Sequence, residues 1–264
     1  MKVIGEKING TRKKVGQAIL ARDGAFIQKL ASDQAAAGAT WIDVNAGTPV
    51  EREPEDLIWL VETVQEAVQK PLCLDSANPA ALEAALPHVK QAPLINSISG
   101  EQGRLDGVLP LAARAQGGVI ALAMDDKGIP TTFEGRLSIV NRLLGLTRDV
   151  AIPDEQVYVD PLVMTIGASG DAARIALATV RAVKAEHPKV HFTSGLSNVS
   201  FGLPARSLIN RAFLTLMLEA GLDSAILDPL DRDLKKAILA AEAVLGLDRH
   251  CLGYTRAFRA GLLD

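Results

Sequence analysis

The chain has 264 residues, a net charge of −3 at pH 7, and 48% hydrophobic but only 4% aromatic residues. A chain of this length without a linker or a low-complexity tract suits one barrel-sized domain, so we expect a single domain over residues 1–264. The 28 basic and 31 acidic residues are nearly balanced, and no basic cluster is interleaved with aromatic residues. Nucleic acid is therefore not an expected partner.

The N-terminal segment and the apolar runs give no sign of a membrane. The segment MKVIGEKING lacks the apolar core of a secretory signal, and no apolar stretch approaches the roughly 20 residues of a spanning helix. A cytoplasmic location is the default expectation. Cys73 and Cys251 are far apart, and neither has a second cysteine or a histidine at metal-ligand spacing, so we expect no thiolate zinc site and no bound metal.

Short apolar runs in the first half of the chain predict four strands with helices between them. The strands span residues 2–8, 41–45, 72–75 and 94–96. Apolar residues recur at helical spacing after the first two strands, which predicts a helix over residues 14–38, broken near Asp23, and another over residues 54–69. After the third strand, Asn78 and Pro79 are residue types that begin a helix.

The second half of the chain continues the same alternation. Strands are predicted over residues 119–124, 157–161, 190–193 and 224–228, with a long helix over residues 133–146. Eight repeats of strand and helix predict an α/β fold of the (β/α)8 TIM-barrel type. A doubly wound sheet would more often stop at about five or six strands, and the Gly-x-Gly-x-x-Gly fingerprint is missing after the first strand.

Polar residues stand at or just beyond the C-terminal ends of the predicted strands: Asp43, Asp75, Asn96, Asp160, Asn198 and Asp228. Singly, each is most simply a turn former or a helix cap. In a TIM barrel, however, the C-terminal ends of the strands converge on one mouth, where substrates bind. The repeated pattern therefore predicts a site for a polar ligand, whereas Asp228, just before Pro229, is better explained as the cap of the next helix.

Motifs along nearly the whole chain resemble those of a known family. They are Ile-Gly-Glu-Lys-Ile-Asn-Gly at residues 4–10, Ile-Asp-Val-Asn at 42–45, Leu-Cys-Leu-Asp-Ser at 72–76, Ile-Asn-Ser at 95–97, Asp-Pro-Leu at 160–162, Gly-Leu-Ser-Asn-Val-Ser at 195–200 and Leu-Ile-Asn-Arg at 208–211. With these motifs the chain resembles the pterin-binding methyltransferases that exchange a methyl group between 5-methyltetrahydrofolate and a corrinoid protein. The resemblance implies a folate substrate, tetrahydrofolate or its 5-methyl form.

The resemblance also implies roles for single residues. Asp75 and Asp160 would accept hydrogen bonds from the amino-pyrimidinone edge of the pterin, where charge-assisted bonds are roughly twice as strong as neutral ones. Asn96 carries both a donor and an acceptor for the same edge, unless it is a loop cap. Asn198 would approach N5, the nitrogen that bears the methyl group, and is the expected catalytic residue; its alternative is an Asx turn.

Four further residues are weaker candidates. Arg206 matches a family arginine that can pair with the benzoyl-glutamate side of folate, although a solvated loop charge is an equal alternative. Asp43 and Asn45 match family positions, yet strand-end turns favour Asp and Asn anyway. Phe201 stands where acetogenic members carry a Gln, and it cannot make the same polar contact, which slightly favours the branch that returns methyl groups to tetrahydrofolate during demethylation.

The expected partner is a separate corrinoid protein. The resemblance implies that the corrinoid (cobalamin) comes from this separate protein. The letters of an Asp-x-His-x-x-Gly corrinoid-binding signature do occur once in the chain, at residues 248–253. The resemblance also suggests a homodimer. Two alternatives stay open: a dihydropteroate-synthase-like enzyme, which should carry a Lys late in the seventh strand where this chain has none, and a pterin-binding module without catalysis, against which the presence of Asn198 argues.

Overall fold

The computed structural model describes residues 1–263 and contains one eight-stranded parallel sheet. The strands are β1 (Lys2–Asn9), β2 (Trp41–Asn45), β3 (Leu72–Asp75), β4 (Leu94–Gly100), β5 (Gly118–Asp125), β6 (Val157–Asp160), β7 (His191–Phe192) and β8 (Ser224–Leu227). Their order is β7-β6-β5-β4-β3-β2-β1-β8. A parallel bridge between Gly195 and Ile226 joins the two ends of the sheet. The sheet is therefore nearly closed, and the predicted TIM barrel is confirmed.

Helices lie between the strands on the outside of the barrel. They are α1 (Lys13–Ala21), α2 (Gly24–Ala36), α3 (Glu53–Ala67), α4 (Pro79–Ala85), α5 (Gln102–Gly107), α6 (Leu109–Ala115), α7 (Phe133–Asp149), α8 (Ala172–Glu186), α9 (Arg206–Ala220), α10 (Arg232–Val244) and α11 (Leu252–Arg259). The predicted break near Asp23 is confirmed, because Asp23 accepts a hydrogen bond from the Phe26 amide at 3.1 Å and caps α2. Asn78 caps α4 in the same way, through the Ala80 amide at 3.1 Å.

Several predicted boundaries differ from the structure. Helix α3 ends at Ala67, and Val68 already has an extended backbone, so the helix is shorter than residues 54–69. Strand β4 continues to Gly100 rather than stopping at Asn96. The short helices α5 and α6 were not predicted individually, since neither is long enough to show a clear helical period.

Large side chains close the N-terminal end of the barrel. The Lys2 ammonium lies 2.9 Å from the Tyr158 hydroxyl and over the Trp41 ring, and the Tyr158 ring stacks on His191 with centroids 4.8 Å apart. His191 in turn lies 2.7 Å from an Asp223 carboxylate oxygen. The interior is thus filled at this end, and the strand ends that carry the candidate residues lie at the other. Among residues 1–263, no helix combines the length and apolar character needed to cross a membrane.

The loop after β1 packs so closely on the loop after β2 that Gly10 has no room for a side chain. A Cβ atom at Gly10 would lie 1.7 Å from the Ala46 carbonyl oxygen, and the Gly10 amide donates to the Asn45 carbonyl at 2.8 Å. Gly10→Ala should therefore lower the free energy of unfolding by about 1–3 kcal/mol, the usual cost of overpacking. Urea denaturation measures this change.

Gly103 provides the matched control for this prediction. It is an exposed glycine in α5, and a Cβ atom there would meet nothing within 4 Å. Gly103→Ala should leave stability unchanged or raise it by up to about 1 kcal/mol. A Gly10→Ala variant as stable as Gly103→Ala would show that the two loops do not need this close approach.

Candidate functional site at the mouth of the barrel

The strand register directs the candidate side chains into the barrel. Cys73, Leu94, Ile120 and Tyr158 belong to one buried cluster inside the sheet. Because successive side chains of a strand alternate between its faces, the residues two positions later also point inward, nearer the C-terminal ends. These residues are Asp75, Asn96, Leu122 and Asp160. Three of the predicted pterin ligands thus reach the same mouth from three different strands.

Asp43, Asn45, Asp75 and Asn96 form one connected group from β2, β3 and β4. The Asn45 amide donates to an Asp75 carboxylate oxygen at 2.9 Å. Asp75 and Asn96 are direct partners across the β3–β4 pair. Asn96 lies within β4, so the loop-cap alternative for it is wrong. The group presents carboxylate and amide oxygens beside amide donors, which is the mixture that a pterin edge requires.

Asp43 lies deepest in this group. Its residue is only 2% exposed, and its Oδ1 atom is buried with no hydrogen-bond partner among residues 1–263. Burial raises the pKa of Asp43 well above its usual range, and the nearby Asp75 carboxylate adds to the rise. Burial also raises the pKa of Asp75, against the hydrogen bond from Asn45 and the positive charge of Arg104, which lower it. Buried carboxyls with displaced pKa values are typical of functional sites.

Asp160 reaches the mouth from the end of β6 and is 6% exposed. Its Oδ1 atom accepts a hydrogen bond from the Leu162 amide at 2.8 Å, and its Oδ2 atom a longer one from the Gly195 amide at 3.4 Å. Burial raises the pKa of Asp160 to about 6, although both amides and the charge of Arg136 lower it. Asp160 Oδ1 therefore stabilises the local turn, as the strand-end position of this residue predicts, whereas the hydrogen bond to Oδ2 is long and weak.

Asn198 lies in the loop after β7, within a short 3-10 turn over Leu196–Ser200. Its backbone carbonyl accepts from the Phe201 amide at 3.1 Å, but its side-chain amide has no hydrogen-bond partner in the described part of the chain. The Asx-turn alternative is therefore not observed. A Cβ atom at Gly195 would lie 3.0 Å from the Asn198 amide nitrogen, so Gly195, which also donates to Asp160, leaves room for this side chain.

Arg206 begins α9 and holds the same loop. Its Nη2 donates to the Ser197 carbonyl at 2.6 Å and its Nε to the Ser200 hydroxyl at 3.1 Å. The guanidinium carbon also lies 5.9 Å from the centre of the Phe201 ring. Phe201 itself is 69% exposed. Arg206 is exposed to solvent, and its guanidinium also bonds to the loop that carries Asn198.

The expectation for Asp228 is wrong. Helix α10 begins at Arg232 and is capped by Asp231, whose carboxylate accepts from the Leu234 amide at 3.0 Å. Asp228 instead pairs with the Lys7 ammonium at 2.7 Å and accepts from the Leu230 amide. The Asp-Pro pair therefore opens a turn rather than the helix, and the cap follows three residues later, where a second aspartate is available.

Sequence reasoning missed four residues near the mouth. Arg104 in α5 donates to the carbonyls of Ser76 and Ser97, at 3.1 and 3.4 Å, and brings a positive charge to Asp75. Arg136 is buried beside Asp160; its place in the apolar stripe of α7 was an available signal. The buried hydroxyls of Thr193 and Ser194, which follow β7, have no partner among residues 1–263, and nothing in the sequence marks them.

Cavities lie on both ends of the barrel. A cavity of about 150 Å³ adjoins the mouth and is lined by Glu6, Ser197, Asn210 and Asp228 among others. A larger one of about 660 Å³ lies between the ends of α4 and α6, at the opposite end, and none of the candidate residues lines it. The larger of these two cavities therefore does not lie at the polar group of the strand ends. Within residues 1–263, no group of three His, Cys, Asp or Glu side chains is placed to hold a metal ion.

Comparison with known proteins places the chain in a family. A family model described as "Pterin binding enzyme" matches residues 5–228. The chain therefore belongs to the pterin-binding enzyme family.

Two named enzymes are similar in sequence to this chain over most of its length. The methylcorrinoid:tetrahydrofolate methyltransferase of Eubacterium limosum is 43% identical over 263 residues, which cover 99% of this chain and 97% of that protein. The methionine synthase of Mycobacterium tuberculosis is 32% identical over 237 residues, 85% of this chain but 20% of that longer enzyme.

Solved structures resemble the fold of this chain. The dihydropteroate synthase of Xanthomonas albilineans gives a TM-score of 0.70 at 19% identity, covering 94% of this chain and 93% of that one. The synthase of Yersinia pestis gives 0.69 at 16% identity, covering 93% of this chain and 94% of that one. At these identities the likeness shows the shared barrel alone.

The raised pKa of Asp160 predicts how stability depends on pH. The folded chain holds this proton more tightly than the unfolded chain, because the pKa is about 6 rather than 3.8. Asp160 therefore contributes stability that is fully present below about pH 4 and is lost as the pH rises through 6, on the order of 2–3 kcal/mol. Asp160→Asn removes this loss, so the variant should gain stability relative to the wild type between pH 4 and pH 7.

Urea unfolding of both proteins at pH 4, 5, 6 and 7 measures the difference. Asp43 and Asp75 remain in both proteins, so their own titration cancels in the comparison. A difference between variant and wild type that stays constant from pH 4 to pH 7 would mean that Asp160 is ionised as easily in the folded chain as in the unfolded one.

Proposed function

We propose that this protein is a methyltransferase that moves a methyl group between N5 of tetrahydrofolate and the cobalt of a corrinoid carried by a separate protein. The observation that carries the proposal is the convergence of Asp75, Asn96, Asp160 and Asn198 on one barrel mouth in a chain of the pterin-binding family. The relative that is 43% identical over nearly the whole chain is a methylcorrinoid:tetrahydrofolate methyltransferase by name.

The pterin would lie flat in the mouth, with its amino-pyrimidinone edge toward β3, β4 and β6. This edge offers adjacent N–H donors, for which the Asp75 and Asp160 carboxylates are the complementary acceptors. Asn96 can donate or accept at the ring atoms between them. The raised pKa values of both aspartates suit this role, since each carboxylate is poorly solvated and gains more from the donors of a ligand than an exposed carboxylate would.

Methyl transfer is an in-line displacement at the methyl carbon. In one direction cobalt(I) attacks the methyl group of 5-methyltetrahydrofolate, the C–N5 bond breaks, and N5 retains the electron pair and takes up a proton. In the other direction N5 attacks the methyl group of methylcobalt, the Co–C bond breaks with cobalt keeping the electron pair as cobalt(I), and N5 releases its proton. The folate amine is a poor leaving group unless N5 gains a proton or a strong hydrogen bond. The unpaired amide of Asn198 can supply the hydrogen bond, and such assistance is typically worth about 10²–10⁴ in rate.

The substrates and partners follow from this chemistry. Tetrahydrofolate and 5-methyltetrahydrofolate are substrates, and the corrinoid arrives on its own protein, in keeping with the name of the 43% identical relative. The Asp-x-His-x-x-Gly letters at residues 248–253 have a local role instead, because the Asp248 carboxylate accepts from the Gly253 and Tyr254 amides. We propose a role in O-demethylation, with methyl groups passing from methylcobalt to tetrahydrofolate. We also propose a homodimer, which sedimentation equilibrium would test, and a second role for Arg206 beside the benzoyl-glutamate tail of folate.

Neither alternative fits the site as well. A dihydropteroate-synthase-like enzyme should carry a Lys late in the seventh strand, whereas His191 and Phe192 form β7 and Thr193 and Ser194 follow. A pterin-binding module without catalysis would not require an unpaired amide at Asn198. The experiment below distinguishes this second alternative from the enzyme.

The direct test is methyl transfer from 5-methyltetrahydrofolate to free cob(I)alamin under anaerobic conditions, followed by the cobalt absorption spectrum. The wild type should form methylcobalamin. Asn198→Ala should lower kcat by about 10²-fold or more, since it removes the hydrogen bond at N5, with little change in folate affinity. Asp160→Ala should instead weaken folate binding, because it removes an acceptor for the pterin edge.

Asn78→Ala is the matched control, because Asn78 follows β3 and its side chain caps α4 and donates to the Val50 carbonyl at 3.2 Å, outside the polar group at the mouth. It should cost about 1 kcal/mol of stability and leave the transfer rate unchanged. Folate binding without any methylcobalamin would favour the non-catalytic module, and the absence of folate binding would remove the proposal altogether.

Phe201 offers a test of the preferred direction. An enzyme leaves the overall equilibrium unchanged, so Phe201 can favour one direction only by changing how tightly the two folates bind relative to each other. Because the Phe201 ring cannot make the polar contact available to a Gln, Phe201→Gln should change the ratio of the dissociation constants for tetrahydrofolate and 5-methyltetrahydrofolate by about threefold or more, roughly 0.7 kcal/mol. Calorimetric titration with each folate measures the ratio. An unchanged ratio would show that Phe201 does not contribute to direction.

A further inference from the structure

Arg136 is a buried cation in the wall of the barrel mouth. It lies in the first turn of α7 and is 1% exposed. Its Nε donates to the Pro130 carbonyl at 3.0 Å, and its Nη1 donates to the Pro161 carbonyl at 2.6 Å and also to the Leu162 carbonyl. These acceptors are uncharged backbone groups. Burying a guanidinium is costly. The first turn of a helix carries the positive end of the helix dipole, which disfavours a cation. Packing alone therefore does not explain an arginine here.

The peptide group between Pro161 and Leu162 connects Arg136 to Asp160. The carbonyl of this peptide accepts from the Arg136 guanidinium, and its N–H donates to Asp160 Oδ1 at 2.8 Å. A guanidinium at the oxygen end of a peptide increases the polarity of its N–H, because hydrogen bonds in a chain polarise one another. The peptide thus stands between a fixed positive charge and the carboxylate.

The backbone conformation of Leu162, the residue after this peptide group, also needs hydrogen bonds from its surroundings to hold it. Leu162 has a φ of +56°, in the left-handed region that bulky residues rarely adopt. Such a conformation persists only where the surroundings determine it. The second hydrogen bond of Arg136 Nη1, to the Leu162 carbonyl, fixes the far side of the same residue. Both peptide groups that flank Leu162 are therefore held by one guanidinium.

We propose that Arg136 is a positioning residue for Asp160, acting through the Pro161–Leu162 peptide group. By holding the carbonyl of this peptide, it aims the N–H at Oδ1 and turns the Asp160 carboxylate so that Oδ2, whose hydrogen bond from the Gly195 amide is long at 3.4 Å, faces a bound pterin. The inference deepens the proposed function and rests on Asp160 as a pterin ligand.

Arg136 is the charged side chain of α7 that acts on the Asp160 carboxyl group. Its positive charge opposes the rise in pKa that burial causes. Neighbouring β5 contributes Leu122 beside Asp160 and has its own carboxylate, Asp125, at its end. On the other side, β7 carries its titratable residue, His191, beside Tyr158, toward the closed end, paired with Asp223.

The test compares the wild type with Arg136→Met, which removes the charge, and Arg136→Lys, which keeps it but loses the planar fork that reaches three carbonyls. The first readout is the titration of the Asp160 carboxyl carbon by NMR in the ligand-free protein, assigned with Asp160→Asn. The second is the dissociation constant of tetrahydrofolate between pH 5 and pH 8. Arg148→Met is the matched control, because Arg148 is also in α7 but pairs with Asp154 near the surface.

Arg136→Met should move the Asp160 titration upward, since it removes the opposite charge that lowers this carboxyl pKa and the hydrogen bond that holds the Pro161–Leu162 peptide. The pH at which tetrahydrofolate binding is half lost should move upward by the same amount. Arg136→Lys should shift the titration less but still weaken binding at pH 7.5 by threefold or more. Arg148→Met should change neither readout.

A folded Arg136→Met variant whose Asp160 titration matches the wild type would overturn the proposal. If that variant does not fold, an Arg136→Lys variant with wild-type titration and wild-type affinity would overturn it as well. These outcomes are distinct from failure of the proposed function. If the wild type binds no tetrahydrofolate at any pH, Asp160 has no role as a ligand. The proposal for Arg136 rests on that role and would then fail as well, even if the Asp160 titration in the ligand-free protein still responded to Arg136.

Discussion

Parallel hydrogen bonding of eight strands, closed between β7 and β8, is the constraint on which the site depends. Parallel pairing sends every strand in the same direction, so all C-terminal ends meet at one mouth. Side-chain alternation then decides which residues enter it. Asp75, Asn96 and Asp160 come from distant parts of the chain, yet each stands two residues beyond a member of the same inward cluster. A shift of one residue in any strand would turn its polar group to the outer face.

Closure of the barrel also makes it energetically costly to ionise the carboxyl groups of the site. Asp43, Asp75 and Asp160 are removed from water by the barrel, and burial is the largest cause of the raised pKa of each. The protein offsets this with groups that are themselves fixed. Asn45 and Arg104 act on Asp75, whereas the Leu162 and Gly195 amides and Arg136 act on Asp160. Carboxylates left partly unsatisfied in this way are prepared to accept the donors of a ligand, at the expense of stability without one.

The mouth has two parts of different character. The β2–β4 side is built from strand residues that bond to one another, as in the contact between Asn45 and Asp75. The β6–β7 side is built from backbone, with the Leu162 and Gly195 amides on Asp160 and Arg206 bonded to the loop that carries Asn198. The exposed Asn198 amide stands on this second side. The groups proposed to bind the pterin are thus carried mainly by the sheet, and Asn198, proposed for the chemistry, is carried by a loop to which Arg206 bonds.

The sequence by itself determined the strand–helix alternation, and with it the barrel, because hydrophobic periodicity and turn residues are local signals. It also placed Asp75 and Asp160 at strand ends and Asn96 in the fourth strand, although that strand continues beyond Asn96, and the motifs around them pointed to the family that the comparisons confirm. Boundaries such as the end of α3 were less accurate, since a helix end depends on what the next residues pack against.

Only the tertiary structure decided which polar residues share contacts and which merely cap. Asp228 and Asp231 are indistinguishable as helix caps in sequence, yet the first pairs with Lys7 and the second caps α10. Arg136 and Arg104 reach the mouth from helices, and both bond to backbone carbonyls that carry no sequence signature. The physical reason is that burial, which sets the charge state of each carboxyl, is a property of the closed barrel and of no local segment.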